Sequence, residues 1–206
     1  MTLDEIRVKF ELLVDDSTEL SIPEETDLAN DVYQDVCSDR DWEFLKDEFT
    51  FTTDGTASIA LPDDFSHLIA DYNYTENNMN NDMNTAGKVV LINNSPYTVV
   101  NYSDRRRYSG AYCYVDIANS TLNFVTAPAS GLSGSTDYIV VPEDMELTDT
   151  PVFPARFHKM IAYGMASSDY IIQQTQKTDS YSPEYQTMYD KKMKDMALWN
   201  AGLQNN

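Results

Sequence analysis

Histidine, cysteine, glycine and basic side chains are all scarce in this sequence. Its 206 residues carry two histidines, two cysteines, seven glycines and only 14 Lys and Arg together. The two histidines, His67 and His158, come with no Cys-x-x-Cys, His-x-x-x-His or His-Glu-x-x-His spacing. A zinc centre would have to be gathered from scattered residues, so neither metal nor cofactor is expected. Cys37 and Cys113 are too few for a disulfide scaffold and read as small core hydrophobes, one on a helix and one on a strand. The poverty of glycine removes the phosphate cradle: Gly131-Leu-Ser-Gly134 lacks both the lysine and the strand-to-helix setting. No Asp-x-Asp-x-Asp-Gly loop offers a calcium site. Ser66 and His67 are neighbours in sequence, but adjacency does not by itself place a hydroxyl on an imidazole. The acids Asp63 and Asp64 would point to opposite faces of a strand, and after Pro62 they read as turn residues. No catalytic residue is assigned, and no enzyme activity is expected.

Positive charge is the other shortage. Thirty-four acids leave a formal charge of −20, which favours solubility and repels phosphates, so sequence-specific nucleic-acid binding is not expected. The one basic run, Arg105-Arg106-Arg107, is either a local anion contact or a solvated turn. No apolar run approaches the ~18 residues needed to span a bilayer, and the start, MTLDEIRVKF, is acidic rather than signal-like. Synthesis in the cytosol and no membrane partner follow as expectations.

What is present is a core-forming composition, 42% hydrophobic with 14 Tyr and eight Phe. The periodicity runs helix, then strand, then helix. Thr2 with Glu5 fits a capping box, and Leu3, Ile6, Phe10 and Leu13 recur at helical spacing. Residues 17–23 read as a connector before a second helix, with Leu28, Val32 and Val36 on one stripe and Trp42, Phe44 and Leu45 as a bulky end. From Glu48 the period falls to two. Asp54-Gly55 predicts a type I′ hairpin, with residues 58–61 returning and Pro62 ending the strand. Further strands are predicted over 68–74, 89–92, 97–102, 111–117, 122–126 and 137–141, with a turn at Asn119-Ser120. The segments 76–85 and 131–135 read as exposed loops. Helix resumes from Pro154, restarts at Ser182-Pro183-Glu184, and is predicted to stop at Gly202.

The expected fold class is α+β. Residues 1–46 and 152–201 would form an α-helical bundle, 47–151 an inserted antiparallel sheet or sandwich, and 202–206 a tail. The structural junction would be Trp42, Phe44 and Leu45 with the turn residues Asp54, Gly55 and Pro62.

The stretches LANDVYQDVCSDRDWEFL, FTFTTDGTASIALPDDF, PVFPARFHKMIAYGMASSDYI and EYQTMYDKKMKDM, in that order, carry a resemblance. Leu28 to Asp31, and Arg40 with Trp42, Phe44 and Leu45, match the two ends of a helix in one family. Ile59 to Phe65 match its Leu-Pro-x-Asp-Phe element, and Pro154, Phe157, His158, Ile161, Tyr163 and Gly164 a later one. The chain resembles, from about 24 to 200, the head-to-tail adaptor (connector) proteins of tailed bacteriophages. Its acidity and its Asn-rich segment after Glu76 depart from the family pattern. The resemblance implies a virion neck protein and a homo-oligomeric ring, usually of about twelve copies. Its partners would be the portal and the tail or nozzle proteins, and DNA would pass through the channel without sequence-specific binding. It also implies portal docking by the C-terminal segment, here Leu198, Trp199 and Leu203. Two other readings stay open: another neck or tail protein such as a collar or tube, and a carbohydrate-binding β module using Tyr97, Tyr102, Tyr108, Tyr112 and Tyr114.

Overall fold

The structure, a computed structural model, describes residues 1–14, 20–69, 88–168 and 182–204. The predicted loop 76–85, residues 70–74 of a predicted strand, and Tyr170 to Ile172 of a predicted helix lie outside the described residues. The fold is mixed α+β, with four helices and an eight-stranded mixed sheet among the described residues. The chain divides into two compact units, Met1–Leu45 with Pro142–Asn206, and Lys46–Val141.

In the first unit, α1 (Leu3–Leu13) opens with the capping box: Glu5 N donates to Thr2 Oγ1 and Thr2 N to Glu5 Oε2. Leu3, Ile6 and Phe10 are buried at the predicted spacing. Helix α2 (Ile22–Ser38) starts inside the predicted connector. Pro23 fits its first turn, where a missing N–H costs nothing, and Ser21 N is held by Glu24 Oε2 at 2.8 Å. Arg7 joins the two helices: its Nη2 lies 2.7 Å from Glu25 Oε2, with Asp4 and Glu11 at 2.8 and 3.1 Å. Arg7 and Glu25 are both buried, and burial raises the Glu25 pKa against the pull of Arg7.

Residues 142–151, expected with the strands, belong to this unit instead. Their backbone polar groups are satisfied there: Asn30 exchanges two hydrogen bonds with Met145, Gln34 Nε2 donates to Pro142 O, and Leu3 N to Asp149 O. Helix α3 (Lys159–Ser167) begins later than Pro154 predicts, because 155–158 form turns. His158 is buried there, its Nε2–H donating to Phe153 O at 2.8 Å. Helix α3 packs against α1, α2 and α4 (Ser182–Gln204). Gly164 permits this closeness: a Cβ there would lie 2.5 Å from Val32 Cγ1 and 3.2 Å from the Tyr189 ring. Gly202 does not stop α4, which runs on to Gln204, so Leu203 is helical rather than part of a tail.

The second unit holds β1 (Lys46–Thr52), β2 (Ser58–Ala60), β3 (Phe65–Leu68), β4 (Val89–Ile92), β5 (Ser95–Val99), β6 (Tyr112–Asp116), β7 (Thr121–Phe124) and β8 (Ser133–Val140). The strand order is β1-β8-β4-β5-β6-β7-β2, with β3 also on β8. Two expectations fail here. The Asp54-Gly55 hairpin does not form: β1 pairs along its whole length with β8, while β2 pairs with β7. Only Gly55 has positive φ, and Asp54 Oδ1 accepts from Thr56 N at 2.8 Å, so the turn is a local Asp-capped one. Beside it, the buried Thr53 is tied by Oγ1 to Ala129 O and Leu132 N. The sheet is also not wholly antiparallel, because β5 and β6 run parallel, Thr98 opposite Tyr112.

The two-residue hairpin that does form is β4–β5, closed by Asn93 and Asn94 with φ of 47° and 61°. The predicted Asn119-Ser120 turn joins β6 to β7, with Ser120 left-handed at φ 48°. The predicted loop 131–135 is largely strand, and Gly134 lies under the Phe51 ring, where a Cβ would come within 2.3 Å. Val90, Ile92, Cys113, Leu122 and Phe124 form the centre of this unit's core.

Candidate assembly and docking site

The informative geometry is which apolar and charged side chains are fixed and which are presented. In the helical unit an aromatic chain fixes the end of α2. Trp42 is fully buried; its Nε1–H donates to Val36 O at 2.8 Å and its ring stacks on Phe44 at 5.4 Å. Phe44 continues to Trp199 at 6.2 Å, and Trp199 to Phe157 at 5.9 Å. Asn200 Oδ1 accepts from Glu43 N at 2.8 Å beside them.

This separates the three docking candidates. Trp199 is half-buried between Phe44 and Phe157, with the Arg156 guanidinium 5.3 Å over its ring. Leu198, 66% exposed, and Leu203, 44% exposed, present apolar surface on α4. Val8 and Leu12, four residues apart on α1, are exposed as well.

In the β unit, the connection between the parallel strands β5 and β6 carries the arginine run as a single 3-10 turn, Arg105–Arg107. The Arg105 guanidinium sits 3.6 Å over the Tyr102 ring and 5.6 Å from that of Tyr114, and it donates to Tyr102 O. Arg107 pairs with Asp104 at 3.2 Å, and Arg106 is exposed. Tyr108 packs on Tyr112 at 4.8 Å between ring centroids. The sequence named these arginines and tyrosines separately; folding makes them one surface. Arg105 already covers a face of Tyr102, which leaves that face closed to a stacked sugar. Tyr97 is elsewhere, edge-on to Phe124 at 5.6 Å and packed on the core.

The candidates for chemistry are placed as follows. Ser66 Oγ does lie 3.0 Å from His67 Nδ1, because the β3–β8 register slips between Phe65 and His67 and brings neighbouring side chains together. The Asp64 carboxylate accepts the Tyr138 hydroxyl at 3.0 Å; burial first, and then this contact, raise the Tyr138 pKa to about 12. Asp63 is exposed in the turn that follows Pro62. Cys37 and Cys113 are free and buried, and burial pushes both thiols up to about 12. Among the described residues no group of three His, Cys, Asp or Glu side chains could hold a metal ion, and no helix is long and apolar enough to cross a membrane.

The Arg7–Glu25 clamp was not read from the sequence. Its signal was faint: one arginine on the α1 stripe between Leu3, Ile6 and Phe10, and one glutamate in the first turn of α2.

A search of curated proteins finds no match to the chain. The family model described as SU10 adaptor protein matches residues 1–205. The chain therefore belongs to the SU10 adaptor protein family, a family of phage head-to-tail adaptors.

Proposed function

We propose that this chain is a structural neck component of the virion, forming a homo-oligomeric ring below the portal that extends the DNA channel and carries the tail attachment surface. The observation that carries the reading is the adaptor-family match across residues 1–205. In this reading the helices are the adaptor's bundle, its strands are an insertion, and no step of chemistry is required. Trp42, Phe44 and Leu45 set the end of the helical unit from which the β insertion departs, and Asp54, Gly55 and Pro62 shape turns within that insertion. The excess of 34 acids over 14 bases supports a channel from which phosphates are repelled, so that DNA slides.

Portal docking falls to Leu198 and Leu203, the exposed apolar side chains of α4, and Trp199 positions them. Exposed apolar residues of this kind are what interface cores are made of. Phage particles assembled without the chain test the reading. DNA-filled heads that carry no tails are expected. Tailed, infectious particles would overturn it.

A further inference from the structure

Subunits that each carry a formal charge of −20 repel one another, so a stable contact between copies must set the scarce cations against acids. The arginine–tyrosine surface is where the chain concentrates cations on a firm base. Arg105 is held over Tyr102 and Tyr114, and Tyr102 and Tyr108 are 48% and 40% exposed. Tyr and Arg are the residue types enriched at the energetic centres of interfaces. The lysines 191, 192 and 194 of α4 are the other cluster, but Asp190 and Asp195 interleave with them. Among the described residues the arginine turn has one ion pair, Arg107 with Asp104.

The complementary surface is on α2. Asp27, Asp31 and Asp35 recur every fourth residue, so they line one face over about 12 Å of helix. All three are exposed, and none has an ion pair among the described residues. Glu24 extends the stripe by one step, its carboxylate taken up by Ser21. A free carboxylate row at one-turn spacing suits planar guanidinium groups, which bind carboxylates by paired hydrogen bonds. A DNA duplex is the other available polyanion, but the net charge of the chain opposes its approach.

We infer that the arginine–tyrosine surface of one copy, Arg105–Arg107 with Tyr102 and Tyr108, docks on the Asp27–Asp31–Asp35 face of α2 in a second copy. The two surfaces differ, so the contact is head-to-tail and propagates around a ring. This rests on the adaptor-ring reading and specifies its subunit contact.

Charge reversal tests it in the full chain. The variants are Arg106→Glu with Arg107→Glu, Asp31→Arg with Asp35→Arg, and all four together. All four positions are exposed, so circular dichroism and tryptophan fluorescence should match the wild type. Assembly is read by mass photometry across chain concentration, alone and on purified portal. Each reversal pair should raise the concentration needed for assembly about tenfold or more, and the four together should restore it. Added salt should weaken wild-type assembly. Reversal pairs that assemble like wild type, or a loss that the combination does not restore, overturn the contact while leaving the ring standing. A reversal variant that forms rings normally but no longer captures portal also overturns it. A wild-type chain that stays monomeric, alone and with portal, overturns the ring and the contact together.

Discussion

Replacing Trp42 by alanine should remove the end of the helical unit from its core. The indole has no exposed surface, it stacks on Phe44, and it donates to Val36 O at 2.8 Å. Val36 is among the last four residues of α2, whose carbonyls have no partner within the helix, so Trp42 satisfies a group that would otherwise be orphaned. Emptying a buried tryptophan site costs about 3–5 kcal/mol, and leaving the carbonyl unpaired adds about 1–3 kcal/mol. A loss near 5 kcal/mol would lower a urea midpoint by about 2 M. Trp42→Phe keeps a six-membered ring but loses the N–H and the rest of the indole. It should cost less than alanine, about 1–3 kcal/mol for the unpaired carbonyl plus a smaller cavity. Both tryptophans lie in the helical unit, so in the alanine variant the fluorescence of Trp199 still reports its unfolding. An alanine variant within ~1 kcal/mol of wild type, or equal losses for phenylalanine and alanine, would refute the packing and hydrogen bond described.

Gly164→Ala forces a methyl to 2.5 Å from Val32 Cγ1, so urea denaturation should show a loss of about 1–3 kcal/mol despite alanine's better helix propensity. Val32→Ala in the same chain should recover part of it. Arg7→Met strands the buried Glu25 carboxylate and should cost about 3–5 kcal/mol, whereas Arg7→Met with Glu25→Leu should regain most of that; a near-neutral single variant would contradict the clamp. Burial holds the His158 pKa below its ordinary 6.5, so the fold favours the neutral ring. As pH falls through 6.5 the unfolded chain binds the proton first, and stability drops until the folded pKa is passed. The melting temperature of wild type minus that of His158→Gln should therefore fall on acidification below pH 6.5, and a flat difference would show that His158 does not titrate between the two states.

The helices were legible because each writes its own local pattern. Leu3, Ile6 and Phe10 recur at helical spacing, and Thr2 with Glu5 closes the capping box. The Asn119-Ser120 turn was legible for the same reason: its two strands are neighbours in sequence and pair. The Asp54-Gly55 hairpin failed because pairing is not local. β8 offers β1 a full-length partner 87 residues from its start, and the three-residue β2 cannot compete with that ladder. Asn93-Asn94 went unread because asparagine reaches positive φ less obviously than glycine does. Gly134 looked like a loop residue, but it is bare so that Phe51 can lie on the strand. At the surface, the arginine run and the tyrosines were each visible as residue types. Their union needed the parallel β5–β6 connection, which no short-range pattern announces.

The central claim is that this member of the SU10 adaptor family closes into a ring on the portal. Negative-stain electron microscopy of the purified chain mixed with purified portal tests it directly. Closed rings seated on the portal and sharing its axis are the predicted result. Monomers that leave the portal bare at every concentration tested would contradict it.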